Sequence, residues 1–581
     1  MAVVEANDPR RLRTGRSPYR RRWPAALLVG AVVATSCSRD VSESPLAIVP
    51  PTSAVTSGGV HQYAVTGDPP VLWGVTQSGS SAPTDSPVYP LKVSANGRYL
   101  VDQNDRPWRV QADAAWVMSS VATPEEVDQY LDTRSAQGYN SFYLMAMVHP
   151  LGYGTAPNAP NDANGDPPFA VPGDFSTAAA SPASARYWDW IDWIIDRAAA
   201  RNMVVMLAYT YLGGHGGEQG WFSDVMAQPS VQSLHDWGVW LGRRFKDKPN
   251  ILWFGLGDYA PPARSEGAKR ARAIADGIKS TGASQLFMAE ANAPDEIPGE
   301  NPDFGPVLDM NSFYGYGPVG NTAVYLTADR AWSFSPARPA WMQEGTYEYE
   351  NNWHEFSARP WDTRRGRFWS VLAGGTAGDG FGSRDPYQWV DIPASLSSPG
   401  ARYSTYAFDF FRSMPWWELA PSGTDPGKAG VDLIPSGAGT WGDVDYITSA
   451  LTNSHDWLLA YVPVTGVGRR SFDVDMAALA DRARARWFDP ATGNYIAISD
   501  GYSLDNHGTM QFTTPDVRAD GTDDWLLVLD TAHSDSCGSI TPTGLYTAPP
   551  SIPAGITCDV TATLVDDPDV VVSSRVDVAD G

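Results

Sequence analysis

Between residues 88 and 425, short apolar runs alternate with amphipathic stretches. The runs at 108–112, 141–147, 203–209, 251–256, 286–289, 308–313, 340–343 and 375–381 are apolar over most of their length, as strands covered on both faces are. The stretches at 124–137, 185–201, 231–245 and 265–279 repeat apolar positions at helical spacing. Thr123 and Glu126 give the first of them a capping box. Eight strands alternating with helices predict a (β/α)8 TIM barrel over 88–425. A doubly wound sheet would share the rhythm, but no glycine-rich phosphate loop follows any strand.

Outside this region the pattern is that of all-β structure. Residues 430–530 carry runs at 457–462, 483–488 and 525–529, with Asp489-Pro490-Ala491-Thr492-Gly493 as a hairpin turn, and predict a carboxy-terminal β-sandwich packed on the barrel. Residues 45–86 hold short runs between Gly/Pro turns, among them Gln62-Tyr63-Ala64-Val65 and Val71-Leu72-Trp73. Residues 533–581 hold Gly544-Leu545-Tyr546-Thr547-Ala548-Pro549 and the Val-rich stretch 570–578. The first segment resembles the opening half of a bacterial immunoglobulin-like domain, and the second resembles its closing half. Neither supplies the roughly seven strands of a sandwich. The resemblance therefore implies one immunoglobulin-like β-sandwich split between the two termini, with the barrel inserted into it. An amino-terminal linker with an incomplete carboxy-terminal domain is the alternative.

Charge and composition narrow the ligand. The net charge is −24, from 42 Lys and Arg against 66 Asp and Glu. Such a surface repels phosphate backbones, which argues against a nucleic-acid partner. The 23 Trp and 25 Tyr suit neutral, sugar-like ligands better than anions. The amino terminus then sets the compartment. Arg20-Arg21-Arg22 precede an apolar run at 23–34 that is too short to span a bilayer but fits the core of a signal peptide. Ala34-Thr35-Ser36-Cys37 resembles a lipobox. That resemblance implies a signal peptide over 1–37, lipidation at Cys37, and an extracellular or cell-surface lipoprotein of a bacterium, touching the membrane only through that anchor. Plain secretion is the alternative. In an oxidising compartment Cys537 and Cys558 are a natural disulfide pair. No Cys/His spacing suggests a metal site, and no cofactor is expected.

Active sites of barrels sit at the carboxy-terminal ends of the strands. Asp258 follows the fourth run and Glu344 the seventh. Two carboxylates so placed can flank a glycosidic bond: one protonates the leaving oxygen, and the other attacks the anomeric carbon or activates a water. Residues 91–417 also resemble the apiosidase-like glycoside hydrolase family. The resemblance is carried by Asp113-Ala114-Ala115-Trp116, Gly138-Tyr139-Asn140, Pro249-Asn250-Ile251-Leu252-Trp253 with Gly257-Asp258, Glu344 with Tyr347-Glu348, Arg364-Arg365 with Trp369, and Pro415-Trp416-Trp417. It implies that Asp258 is the general acid/base and Glu344 the nucleophile of a retaining mechanism. Their carboxyls are then expected about 5–5.5 Å apart, with Asp258 protonated and Glu344 ionised. Arg486-Trp487-Phe488-Asp489-Pro490 resembles a small carboxy-terminal domain often joined to this family and named for collagen binding; it is expected to be structural.

Further candidates follow strand ends. Asp113, Trp116, Tyr209, Tyr211, Tyr314 and Tyr316 are placed to line a cleft and bind sugar, and Glu348 to orient the nucleophile. His149 and His215, in Gly-rich loops, are candidate hydrogen-bonding groups for substrate. The expected function is an exported glycoside hydrolase acting on a poly- or oligosaccharide. A non-catalytic carbohydrate-binding or adhesive surface protein is the other class, and the presence of both acids favours the enzyme.

Overall fold

The computed structural model describes residues 86–152, 154–292, 296–316, 322–350 and 358–531, and the strand backbones 71–77, 539–540, 546–547, 557–564 and 567–577. The signal segment, Cys37 and Cys537 lie outside the described residues. Each expected run of the central region contributes a strand: β1 (Val110–Ala114), β2 (Ser141–Met145), β3 (Val204–Ala208), β4 (Ile251–Leu256), β5 (Phe287–Glu290), β6 (Asn311–Gly315), β7 (Ala340–Gly345) and β8 (Gly378–Phe381). They pair in parallel in the order β6-β7-β8-β1-β2-β3-β4-β5. The β5–β6 seam closes by other bonds. Asp309 N–H donates to the Phe287 carbonyl at 2.9 Å, and Phe287 N–H donates to the Asp309 carboxylate at 2.8 Å. The Ser312 hydroxyl donates to the Ala289 carbonyl. The result is a TIM barrel.

Side chains alternate along each strand. Tyr143, Met206, Leu252, Phe254, Met288, Tyr314 and Trp341 fill the barrel. Phe142, Leu144, Val205, Leu207, Ile251, Trp253 and Phe287 face outward onto Trp188, Ile191, Trp237, Leu241 and Ile274 of the surrounding helices. Burial on both sides is why the sequence shows apolar runs rather than alternation. The helices include α1 (Pro124–Ala136), α2 (Pro182–Ala199), α3 (Val231–Phe245), α4 (Glu266–Ser280), α5 (Ala323–Trp332), α6 (Pro360–Leu372) and α7 (Pro399–Arg412). Thr123 and Glu126 form the expected capping box on α1. Helices α3 and α4 touch backbone to backbone: a Cβ on Gly238 would run into the Ile274 carbonyl, and one on Gly277 into that of His235.

Two boundaries differ from the expectation. Pro107–Trp108 belongs to a small antiparallel sheet with Leu100–Val101 and Lys92–Val93 that precedes the barrel. Leu419–Pro421 already pairs with Thr448–Thr452, as the first strand of the following antiparallel sheet. That sheet continues through Trp457–Val462, Trp525–Thr531, Ala483–Phe488 and Tyr495–Ala497. It packs on the Ser471–Asp475/Thr509–Thr513 pair through Leu458, Val474, Trp487, Phe512 and Leu527. Helix α6 fixes this sandwich to the barrel. Arg364, fully buried, holds Asp524 with two bonds of 2.8 Å, and Phe368 stacks on Tyr461.

Val71–Gln77 pairs antiparallel with Thr557–Leu564, which pairs in turn with Asp567–Asp577. A strand from before the barrel thus shares a sheet with strands from after the sandwich. Cys558 stands opposite Gln77 in this sheet. Its expected partner, Cys537, falls outside the described residues.

Candidate active site

Strand β4 ends in a turn with an unusual backbone. Leu256, Gly257 and Asp258 take φ of 65°, 77° and 53°, three left-handed residues in succession. For a non-glycine residue this costs roughly 1–3 kcal/mol and persists only where the surroundings enforce it. Here the loop after β3 enforces it. Leu212, Gly213 and His215 N–H groups donate to the carbonyls of Leu256, Gly257 and Asp258 at 2.7, 3.1 and 3.0 Å. A Cβ on Gly257 would run into the Tyr211 ring, whose hydroxyl donates to the Asp258 carboxylate.

Glu344 reaches the same place from β7. The β6–β7 register slips between Phe313 and Tyr314, so that Met342 is opposite Phe313 but Glu344 is opposite Tyr314. Such a slip re-aims side chains. The Tyr347 hydroxyl donates to Glu344, and Trp116 Nε1–H donates to the Tyr347 oxygen at 2.9 Å.

A third acid, Glu290 at the end of β5, lies between them. One carboxylate oxygen from each of Asp258, Glu290 and Glu344 lies within 4.8 Å of the others. Glu290 is 1% exposed, whereas the other two keep part of their surface open to solvent. The Glu290 oxygens accept from Asp258 N–H at 3.2 Å and from the Gln343 amide. Three oxygens at this spacing could ligate a cation, but both Glu290 oxygens face N–H donors.

Burial and mutual repulsion govern the protons. Burial raises Asp258 to about 6, against the opposing effects of the Tyr211 hydroxyl and nearby His215. Burial, then the Asp258 charge, raise Glu344 to about 8. Burial and both neighbouring charges push Glu290 well above the carboxylate range. The expected order of protons is thus reversed. Asp258 ionises before Glu344, because the Tyr211 hydroxyl and His215 offset part of its burial, whereas Glu344 is buried and also feels the Asp258 charge. From about 6 to about 8, Asp258 and Glu344 together hold one proton and one negative charge. Such a pair can protonate a leaving oxygen and attack a carbon on one bound substrate.

Of the other expected residues, Trp116 and Tyr211 belong to the site. Trp116 acts through Tyr347: its ring is 4% exposed and stacked on Tyr143, so it is a floor rather than an open platform. Tyr316 donates to Glu350 and meets Tyr347 edge to face. Asp113 does not face the cleft. Its fully buried carboxylate is held by Arg134 and Tyr130, both at 2.7 Å, outside the barrel wall. Tyr209 points outward too, packed with Trp253 in the helix layer. Glu348 does not orient Glu344; it accepts the Gly400 N–H at 2.8 Å and caps α7. His149 meets Asp224 at 3.2 Å and packs on Trp221. Glu290 escaped the sequence reading, although it follows the fifth apolar run just as Asp258 and Glu344 follow theirs.

Residues 94–418 match the family described as "Apiosidase-like, catalytic domain", and 441–530 match "Putative collagen-binding domain of a collagenase". Among solved structures, one described as "Glycoside hydrolase" aligns at TM-score 0.63 and 21% identity, over 78% of this chain and all of that one. A glycoside hydrolase family 5 structure from Bacteroides vulgatus aligns at TM-score 0.63 and 20% identity, over 77% of this chain and 94% of that one. No curated protein matches.

Proposed function

The chain belongs to the apiosidase-like family and is a glycoside hydrolase; from that premise we propose that it cleaves a poly- or oligosaccharide outside the cell with retention of configuration, Glu344 as nucleophile and Asp258 as general acid/base. The observation that supports this reading is that one oxygen of each carboxylate lies within 4.8 Å of the other at the strand ends, so that both can act on one glycosidic bond.

In the first step one Glu344 oxygen bonds to the anomeric carbon while the glycosidic oxygen takes the Asp258 proton and leaves. In the second, ionised Asp258 takes a proton from water. The resulting hydroxide bonds to the anomeric carbon, and Glu344 departs as carboxylate. The single shared proton must sit on Asp258 when the bond breaks. The Tyr347 donor on Glu344 favours that arrangement by supporting its charge. Export is supported by the 1–37 segment with its Arg-rich start, apolar run and Cys37, and a lipid on Cys37 would tether the enzyme to the cell surface.

The test is the anomeric configuration of the first product, followed by NMR across a panel of plant and microbial glycans. Retention is expected. Glu344→Gln, which keeps shape and removes the nucleophile, is expected to lower kcat by several orders of magnitude with folding intact. Inversion, or wild-type turnover in Glu344→Gln, would refute the mechanism. A panel with no hydrolysis at all would favour a binding protein.

A further inference from the structure

Beneath the two reacting acids lies a carboxyl group that the mechanism above does not consume. Glu290 is buried under Asp258 and Glu344, all three within 4.8 Å. The titratable groups around it are Asp258 from the β4 turn, Glu344 and Tyr347 from the end of β7, and Tyr143 from β2, with His215 beyond Asp258. Among the described residues no salt bridge engages any of the three acids. Three negative charges packed this closely in a largely buried cluster repel one another and are poorly solvated. One carboxyl must stay neutral, and the geometry says which. Asp258 and Glu344 are partly open to solvent, and Glu290 is not.

We propose that Glu290 is a positioning residue of the hydrolase: a permanently protonated carboxylic acid that donates its hydrogen bond to Glu344 while accepting the Asp258 N–H. It thereby joins the two reacting groups through one side chain. It fixes the backbone of the left-handed turn that aims Asp258 and supports negative charge on Glu344. Gln343, next to Glu344 in sequence, clamps the other Glu290 oxygen and orients the acid. Burial and the two flanking charges keep the Glu290 proton in place across the working range. This inference rests on the two-carboxylate reading above.

Infrared spectroscopy and pH profiles test it together. One pH unit above the alkaline limb, where Asp258 and Glu344 are ionised, the wild-type minus Glu290→Gln difference spectrum is expected to show a carboxylic-acid carbonyl band. Glu290→Gln, neutral and still able to donate, is expected to leave both limbs of the pH profile within a few tenths of a unit. Glu290→Leu removes the donor. Its kcat is expected to fall about 10- to 100-fold, with the alkaline limb moved upward, because Glu344 then holds its proton more tightly. A merely structural role would lower activity without moving a limb. Absence of the band, or downward movement of both limbs by more than a unit in Glu290→Gln, would show an ionised Glu290 and overturn the proposal. The infrared result decides even if Glu290→Leu fails to fold or the glycan panel shows no hydrolysis.

Discussion

At the scale of single residues, the site depends on where one proton sits. Below about 6 both Asp258 and Glu344 are protonated and no nucleophile remains; above about 8 both are ionised and no acid remains. The profile of kcat/KM against pH is therefore expected to be a bell with limbs near these values, which belong to the pair rather than to either residue. Tyr211→Phe removes the hydroxyl that supports ionised Asp258. The acid limb is expected to rise by roughly one unit while the alkaline limb stays, narrowing the bell from the acid side. An unmoved acid limb in Tyr211→Phe would show that this hydroxyl does not tune Asp258. The same raised carboxyls bear on stability. They bind protons in the fold that the unfolded chain has already released. Their contribution is thus full below the ordinary carboxylate range and is lost as pH rises through the folded values.

At the scale of elements, apolar runs disclose strands because both faces of a barrel strand are covered. What the runs do not disclose is how each strand ends. The turn at 256–258 and the slip between Phe313 and Tyr314 are local departures from regular geometry, and they put Asp258 and Glu344 side by side. Gly257→Ala tests the turn. It places a Cβ at φ 77° and against the Tyr211 ring. A loss of roughly 1–3 kcal/mol in unfolding free energy is expected, together with a fall in kcat/KM as Tyr211 and Asp258 are displaced. Unchanged denaturant midpoint and turnover would mean that the turn relaxes freely.

At the scale of the whole molecule, the barrel and the carboxy-terminal sandwich share a buried ion pair. Arg364 and Asp524 are both fully buried, and Asp524 is held down at about 2 by Arg364 and Arg518 despite its burial. Removing one member of such a pair leaves an uncompensated charge, at a cost of about 3–5 kcal/mol. Arg364→Ala is therefore expected to lower the thermal midpoint and to separate barrel and sandwich unfolding into two calorimetric transitions. A single transition at the wild-type temperature would show that the sandwich docks by its apolar face alone. This contact gives the sandwich a structural role whatever else it binds.

The sequence by itself determined the barrel, the sandwich after it, and two of the three clustered acids, because burial periodicity and strand-end position are local properties of the chain. The match of Asp258 and Glu344 to strand ends needed no coordinates. Only the tertiary structure decided which neighbours serve them. Asp113 and Tyr209 stand at strand ends as Asp258 does, yet their side chains point out to the helices, since one step along a strand reverses the face. Glu348 lies four residues from Glu344 but is drawn away to cap α7. Glu290, distant from both acids in sequence, comes within 4.8 Å of them because barrel closure brings β5 and β7 to the same rim. Charges that meet only on closure leave no trace in local pattern, and it is their repulsion that sets where the proton resides.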